Sequence, residues 1–317
     1  MTILACDLGG TRLKLGVVCD GVVRAQTSAP AHSQHGLAPQ LPILKAAWLE
    51  LLGKLGLTLC DAAGVSVAFP SLIEARTGRV LAAYGKFADA PELNLRDWAQ
   101  RELGLPLAIE NDARMALIGE WQHGAGRGVD NLAMMTLGTG LGTSALIEGR
   151  ILRGAHGQAG VLGGHLTVRQ GGRQCTCGNV GCAEAEASTA FLGAIAAGFP
   201  EWEDSSLRQA DPLNYALVFS HAAAGDPGAI RLREHSLHVW STLAVNLIHA
   251  YDPERLILGG GIMASAAEIL PWVQDHVRRH AHTPWGRVEV VGSQLGDRAA
   301  LVAGEWLFRE QFPEVMK

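Results

Sequence analysis

Residues 3–21 read ILACDLGGTRLKLGVVCDG. A short apolar run (3–6) leads into Asp7-Leu8-Gly9-Gly10-Thr11, a second apolar run (13–18) follows, and Asp20-Gly21 turns the chain again. Short apolar runs punctuated by glycine turns are the pattern of a β meander. Residues 132–149, LAMMTLGTGLGTSALIEG, repeat that layout: apolar strand, glycine-rich turn, strand, acidic-glycine turn. The repetition predicts an internal duplication, with one copy opening each of two domains. Elsewhere, strand and helix patterns alternate. Helices are expected at 44–54, 113–121, 183–197, 229–250 and 299–308, and strands at 64–69, 107–109 and 255–258. Alternation of this kind places the chain in the α/β class.

The chain has 317 residues, enough for two domains. It is 48% hydrophobic and 18% charged, with a formal net charge of −5 and no cluster of Lys or Arg. That balance speaks against nucleic acid or an anionic membrane as partner. The opening MTILACDLGG has no basic region, and Asp7 interrupts its apolar run, so no signal peptide is read there. No stretch approaches the roughly 20 apolar residues of a membrane span, and a cytoplasmic location is expected. Six cysteines in such a chain read as thiols or metal ligands rather than disulfides.

Each glycine turn admits an ordinary reading and a functional one. In DLGGT, small residues let a phosphate approach backbone N–H groups, Thr11 adds a hydroxyl donor, and Asp7 could orient a magnesium ion through water. Alone it could equally be a tight turn. A second phosphate-sized turn, LGTGLGT, opening a matching domain suggests a nucleotide held by both. No GxxxxGK[ST] loop occurs, and Thr143 stands where a dinucleotide fingerprint needs its last glycine, which disfavours NAD. In IENDARMALIGEW a strand passes into a helix at Asn111-Asp112. Asn and Asp are favoured helix caps, and an Asp at a helix N-terminus is also held ionised and could accept a proton from a hydroxyl. The three glycines of LILGGGIMAS would let a flat adenine or ribose lie against the backbone, a weak signal by itself.

The most specific stretch is CTCGNVGCAEAEAS, residues 175–188. Cys175, Cys177 and Cys182 supply three thiolates, and zinc prefers four N or S ligands. The nearest candidate for the fourth is His165 in GGHLTV, brought back by a hairpin through Gly171-Gly172. Four protein ligands leave no open position, so the zinc would be structural. It would hold the excursion rigid so that Glu184 can point at a ligand. The plainer reading is that Glu184 and Glu186 complement the dipole of the helix they begin.

Together, DLGGT, END, LGTGLGT, LRGAHGQAG, GHLTV, CTCGNVGCAEAEAS, LILGGG and LGDRAAL resemble the ROK family of sugar kinases and repressors, over most of the chain. The resemblance implies a two-domain, actin-like (ribonuclease H-like) fold with the active site in a cleft. The small domain would take 1–112 and the C-terminal helix, about 299–317, and the large domain 113–298. It implies ATP, Mg2+ and structural Zn2+, and a homodimer. Asp112 would be the catalytic base, and Asn111, His165 and Glu184 sugar contacts. Asp7, Gly9, Gly10, Thr11, Gly138, Thr139 and Gly140 would lie near the phosphates, and Gly260 and Gly261 near adenosine. The implied reaction is phosphoryl transfer from ATP to a hexose hydroxyl, with O6 the favoured position.

Two departures bear on the sugar. The family usually places Glu three residues before the zinc histidine, where this chain has Leu162, and many members have Pro-Gly where it has Pro70-Ser71. Lys86 and Asp89, in the segment before the catalytic strand, are compensating substrate contacts on this reading. The rivals are a sugar-responsive repressor, a sugar-binding sensor without turnover, and an actin-like structural ATPase. A repressor needs a helix-turn-helix before the first glycine turn, where Asp7 leaves no room; Leu162 is the only hint of a sensor; a structural ATPase has no use for the zinc motif.

Overall fold

A computed structural model describes residues 1–74, 76–83 and 85–316. The chain forms two compact units: Met1–Arg127 with Arg153–Ala159 and Asp297–Lys317, and Gly128–Leu152 with Gly160–Gly296.

In the first unit, β1 (Thr2–Leu8), β2 (Arg12–Cys19) and β3 (Val22–Pro30) make the antiparallel meander read from the sequence. Then come α1 (Leu41–Lys54), β4 (Gly64–Phe69), the short pair β5 (Ile73–Glu74) and β6 (Arg79–Val80), α2 (Leu95–Leu103), β7 (Leu107–Asn111) and α3 (Asp112–His123). Among the described residues the sheet has five strands in the order β3-β2-β1-β4-β7, with β4 parallel to β1 and β7. Every residue of β4 is buried, which is why GVSVAF lacks the alternation of a half-exposed strand. Leu4, Cys6 and Leu8 join a core with Leu44, Trp48 and Leu51 of α1. Ala5 instead packs with Leu301 of the C-terminal helix, Ala299–Gln311.

The first unit continues through α3 to Arg127, past residue 112, where a boundary was expected. The reason is packing: α3 lies so close to the C-terminal helix that a Cβ on Gly119 would sit 2.0 Å from the Ala299 carbonyl oxygen.

The second unit holds β8 (Leu132–Leu137), β9 (Leu141–Ile147), β10 (Arg150–Ile151), α4 (Ala183–Ala187), α5 (Leu192–Ala196), α6 (Tyr215–Ala223), α7 (Pro227–Tyr251), β11 (Arg255–Gly259), α8 (Ala266–His280) and β12 (Glu289–Gly292). Its strand order, β10-β9-β8-β11-β12, matches the first unit with β8 in the place of β1. It has its own core, in which Trp240, Leu243 and Leu247 of α7 meet Met135, Leu256 and Leu258. The helix expected over 183–197 is broken. Ser188 is extended (φ −100, ψ 163), because the next two amides, of Thr189 and Ala190, donate to the carbonyls of Gly138 and Thr139 at 3.1 and 3.0 Å. The second glycine turn captures amides that a continuous helix would have kept. Among the described residues no helix is long and apolar enough to cross a membrane.

Candidate active site and metal centre

In the first unit, β1, β4 and β7 run parallel, with Asp7 opposite Ala68 and Phe69 opposite Asn111. The first glycine turn and the Asn111-Asp112 junction therefore leave the carboxyl ends of β1 and β7, the two strands flanking β4, where open α/β sheets bind ligands. Asn111 is the cap: its Oδ1 accepts from the amides of Ala113 and Arg114 at 3.0 and 3.2 Å, and its Nδ2 donates to the Ser71 carbonyl at 3.1 Å. Its side-chain amide is thus engaged at both ends. Asp112 occupies the first turn, where Oδ1 accepts from the Ala113 amide at 2.8 Å and from Asn111 Nδ2 at 3.2 Å. Burial pushes its carboxyl up to about 6, and the charge of Asp7 adds to the push; Lys86 and the Ala113 amide oppose it. Burial also raises the Asp7 carboxyl, against the pull of Lys14, whose Nζ lies 3.3 Å from Oδ2.

Lys86 lies over the first glycine turn: a Cβ on Gly10 would be 2.6 Å from its Cε and 3.2 Å from its Nζ. Asp89 does not accompany it. Its two oxygens accept from the amides of Leu37 and Ala38 at 2.5 and 2.9 Å, so the carboxylate clamps that segment in place of the substrate contact expected.

In the second unit, β11 pairs in parallel with β8, with Gly259 opposite Thr136. The second and third glycine runs are therefore neighbours. Gly260, at φ 91, passes so close to β8 that a Cβ would lie 2.3 Å from the Leu137 carbonyl oxygen, and only glycine meets both conditions. Thr143, which broke the dinucleotide fingerprint, has a use of its own. Its hydroxyl donates to the Gly160 carbonyl at 2.6 Å and accepts from the Gly163 amide at 2.8 Å. It thereby fixes the short turn Gly163–His165 that presents His165.

His165, Cys175, Cys177 and Cys182 come together, with their ligand atoms all within 4.8 Å of one another. The His165 Nδ1–Cys175 Sγ distance is 3.6 Å and Cys177 Sγ–Cys182 Sγ is 3.7 Å. Tetrahedral zinc with ordinary bond lengths requires about 3.6 Å for an N–S edge and about 3.8 Å for an S–S edge. The cluster is therefore compatible with zinc. Cys182 is also the N-cap of α4, two residues before Glu184. Glu184 Oε2 accepts from the Leu141 amide at 2.9 Å and lies where a Cβ on Gly140 would collide with it. With the Thr189 and Ala190 amides, this carboxylate binds α4 to the second glycine turn at both of the helix's ends.

Two buried ionic groups escaped the sequence reading. Glu110 is fully buried; its Oε1 meets Arg114 at 3.1 Å and its Oε2 meets Arg153 at 2.7 Å. Arg114 also donates to the carbonyls of Gly157 and Ala159, so the pair anchors both β7 and the segment Arg153–Ala159. Glu186, likewise fully buried, accepts from the Arg173 amide and guanidinium, each at 2.6 Å. It ties the cysteine-rich excursion to α4. The i,i+4 spacing of Glu110 and Arg114 was a usable signal; no local pattern marked Arg153 or Arg173.

Comparison with known proteins gives this arrangement its context. The model of the ROK family matches residues 3–311. A glucokinase of Halalkalibacterium halodurans is 31% identical over 313 residues, covering 96% of this chain and 94% of the relative. A glucokinase of Thermotoga maritima is 29% identical, covering 98% of each. The crystal structure of a ROK family glucokinase from Streptomyces griseus in complex with glucose and AMPPNP has a TM-score of 0.81 at 27% identity, covering 98% of this chain and all (100%) of that one. A match that spans nearly the whole sequence, together with the repeated strand order of an actin-like ATPase, means that this chain belongs to the ROK family.

Proposed function

We propose that the protein is an ATP-dependent hexose kinase that transfers the γ-phosphoryl group to a sugar hydroxyl, O6, with Asp112 as general base. Carbohydrate kinase activity accords with the ROK glucokinases to which the chain is similar. The observation that carries the finer reading is the division of labour at Asn111-Asp112. Asn111 is the N-cap, while burial and the charge of Asp7 leave the Asp112 carboxyl poised at about 6, beside the first glycine turn. A base of that strength is largely ionised at neutral pH yet still able to hold a proton.

On this reading the hydroxyl oxygen of the sugar attacks the γ-phosphorus and its proton passes to Asp112. In the first unit Gly9, Gly10 and Thr11 offer phosphate oxygens backbone and hydroxyl donors, and in the second unit Gly138, Thr139 and Gly140 offer donors of the same kind. Gly260 and Gly261 leave room for adenosine. Asp7 has the donor type to hold a hydrated magnesium ion, which when bound would offset phosphate charge. Glu184 and His165 contribute to the sugar, with His165 presenting its second ring nitrogen while Nδ1 faces the thiolates. Catalysis is positioning and charge stabilisation rather than covalent chemistry. As in its relatives, glucose is the first sugar to test. An assay coupled to ADP release across a panel of hexoses, with NMR identification of the product, tests the proposal. Sugar-dependent ADP release with phosphate on O6 is expected. Sugar binding without ADP release would favour a sensor.

A further inference from the structure

Lys86 is displayed by a strained and over-determined piece of backbone. It stands between Gly85 (φ 71) and Phe87, whose φ of 50 is costly for a bulky residue. Phe87 is fully buried and its ring packs against Phe69, with centroids 5.8 Å apart. Ser33 couples this anchor to the first glycine turn. Its carbonyl accepts from the Phe87 amide at 2.8 Å, and its hydroxyl donates to the Gly10 carbonyl at 2.7 Å. The Lys86 stem is thus held against Gly10, and among the described residues its ammonium has no carboxylate within ion-pair distance. Strain of this kind persists where the surrounding packing fixes a side chain for a purpose.

We infer that Lys86 is a further catalytic residue of the phosphoryl transfer, its ammonium pairing with oxygens of the phosphoryl group in transit. The inference rests on the proposed reading of the first glycine turn as a phosphate site and of Asp112 as the base. In the step, a bond forms between the sugar oxygen and the γ-phosphorus while the bond from that phosphorus to the β–γ bridging oxygen breaks. ADP leaves with the bonding pair, the hydroxyl proton goes to Asp112, and Lys86 keeps its protons throughout. The charged groups acting on Asp112 are Asp7 and Lys86, and Asp7 is itself paired with Lys14. The positive charge of Lys86 therefore also helps keep Asp112 ionised.

Steady-state kinetics of Lys86→Met and Lys86→Arg, with Asp112→Asn as reference, test this. Lys86→Met is expected to lose about 10²–10³-fold in kcat, the scale of one transition-state charge partner, with the sugar KM changed less than about threefold. The acid limb of its kcat/KM profile moves to higher pH, and Lys86→Arg recovers part of the rate. A raised sugar KM with unchanged kcat would make Lys86 a sugar contact only and overturn the inference. So would an unmoved kcat and acid limb, while an inactive Asp112→Asn would leave the reading of the base standing. Near-normal turnover by Asp112→Asn would sink the base and this inference together. Circular dichroism and zinc content establish that each variant folds; if Lys86→Met does not, less than about a hundredth of the wild-type kcat in a folded Lys86→Arg contradicts a role carried by charge alone.

Discussion

The proposed base, Asp112, owes its raised carboxyl to its surroundings. At the Asn111-Asp112 junction both side chains are suited to capping, and the sequence cannot say which will cap. The backbone decides: Asn111 has the extended conformation of a cap, φ −60 and ψ 140, and Asp112 is already helical. Crowding then raises the Asp112 carboxyl from an ordinary 3.8 to about 6. Linkage gives this a consequence for stability. Below 3.8 the carboxyl is neutral in both folded and unfolded chains. Between 3.8 and 6 the unfolded chain has lost the proton that the folded one keeps, so stability falls as pH rises, and above 6 the ionised group carries its full burial cost. Asp112→Asn is therefore expected to raise the melting temperature at pH 7.5, by an amount corresponding to about 1–3 kcal/mol, with a smaller gain at pH 4.5. Calorimetry at the two pH values checks this; an Asn variant less stable at pH 7.5 would mean that the carboxylate is well solvated or well paired.

At the scale of elements, the cysteine-rich excursion has a second use beyond the one read from the sequence. The expectation was that a metal clip aims Glu184 at a ligand. In the structure α4 begins at Cys182, Glu184 bonds the Leu141 amide, and the amides after α4 bond Gly138 and Thr139. The clip therefore also braces the second glycine turn. From the zinc-loaded protein, stripping the metal with a chelator is expected to raise the KM for ATP as well as for sugar, by about 10- to 100-fold, the scale of one lost hydrogen bond to a charged group. Metal release and both KM values can be followed on the same sample. A nucleotide KM unchanged after one equivalent of zinc has left would refute the bracing.

Over the whole molecule, what was legible followed from local pattern. The duplicated strand order could be read because each copy carries its own glycine turn between two apolar runs. The metal cluster could be read because three of its ligands lie within eight residues. What was not legible depends on partners distant in the chain. Arg153 is 43 residues from Glu110 and 157 from Glu310, and it joins both. The sequence offered Lys86 as a substrate contact, but only the Phe87 anchor and the Ser33 bridge place it over Gly10. Asp89, three residues further on, looked equally suitable and its carboxylate is taken up by backbone amides. The helix over 183–197 was misjudged because its apolar pattern carries no sign of the turn that competes for its amides. Most directly, the account can be tried by measuring single-turnover phosphoryl transfer from ATP to glucose in wild type and in Asp112→Asn, each saturated with both substrates. The base assigned here predicts a loss of about 10²–10⁴-fold in the chemical step with zinc content unaltered; a rate within a few fold of wild type would contradict it.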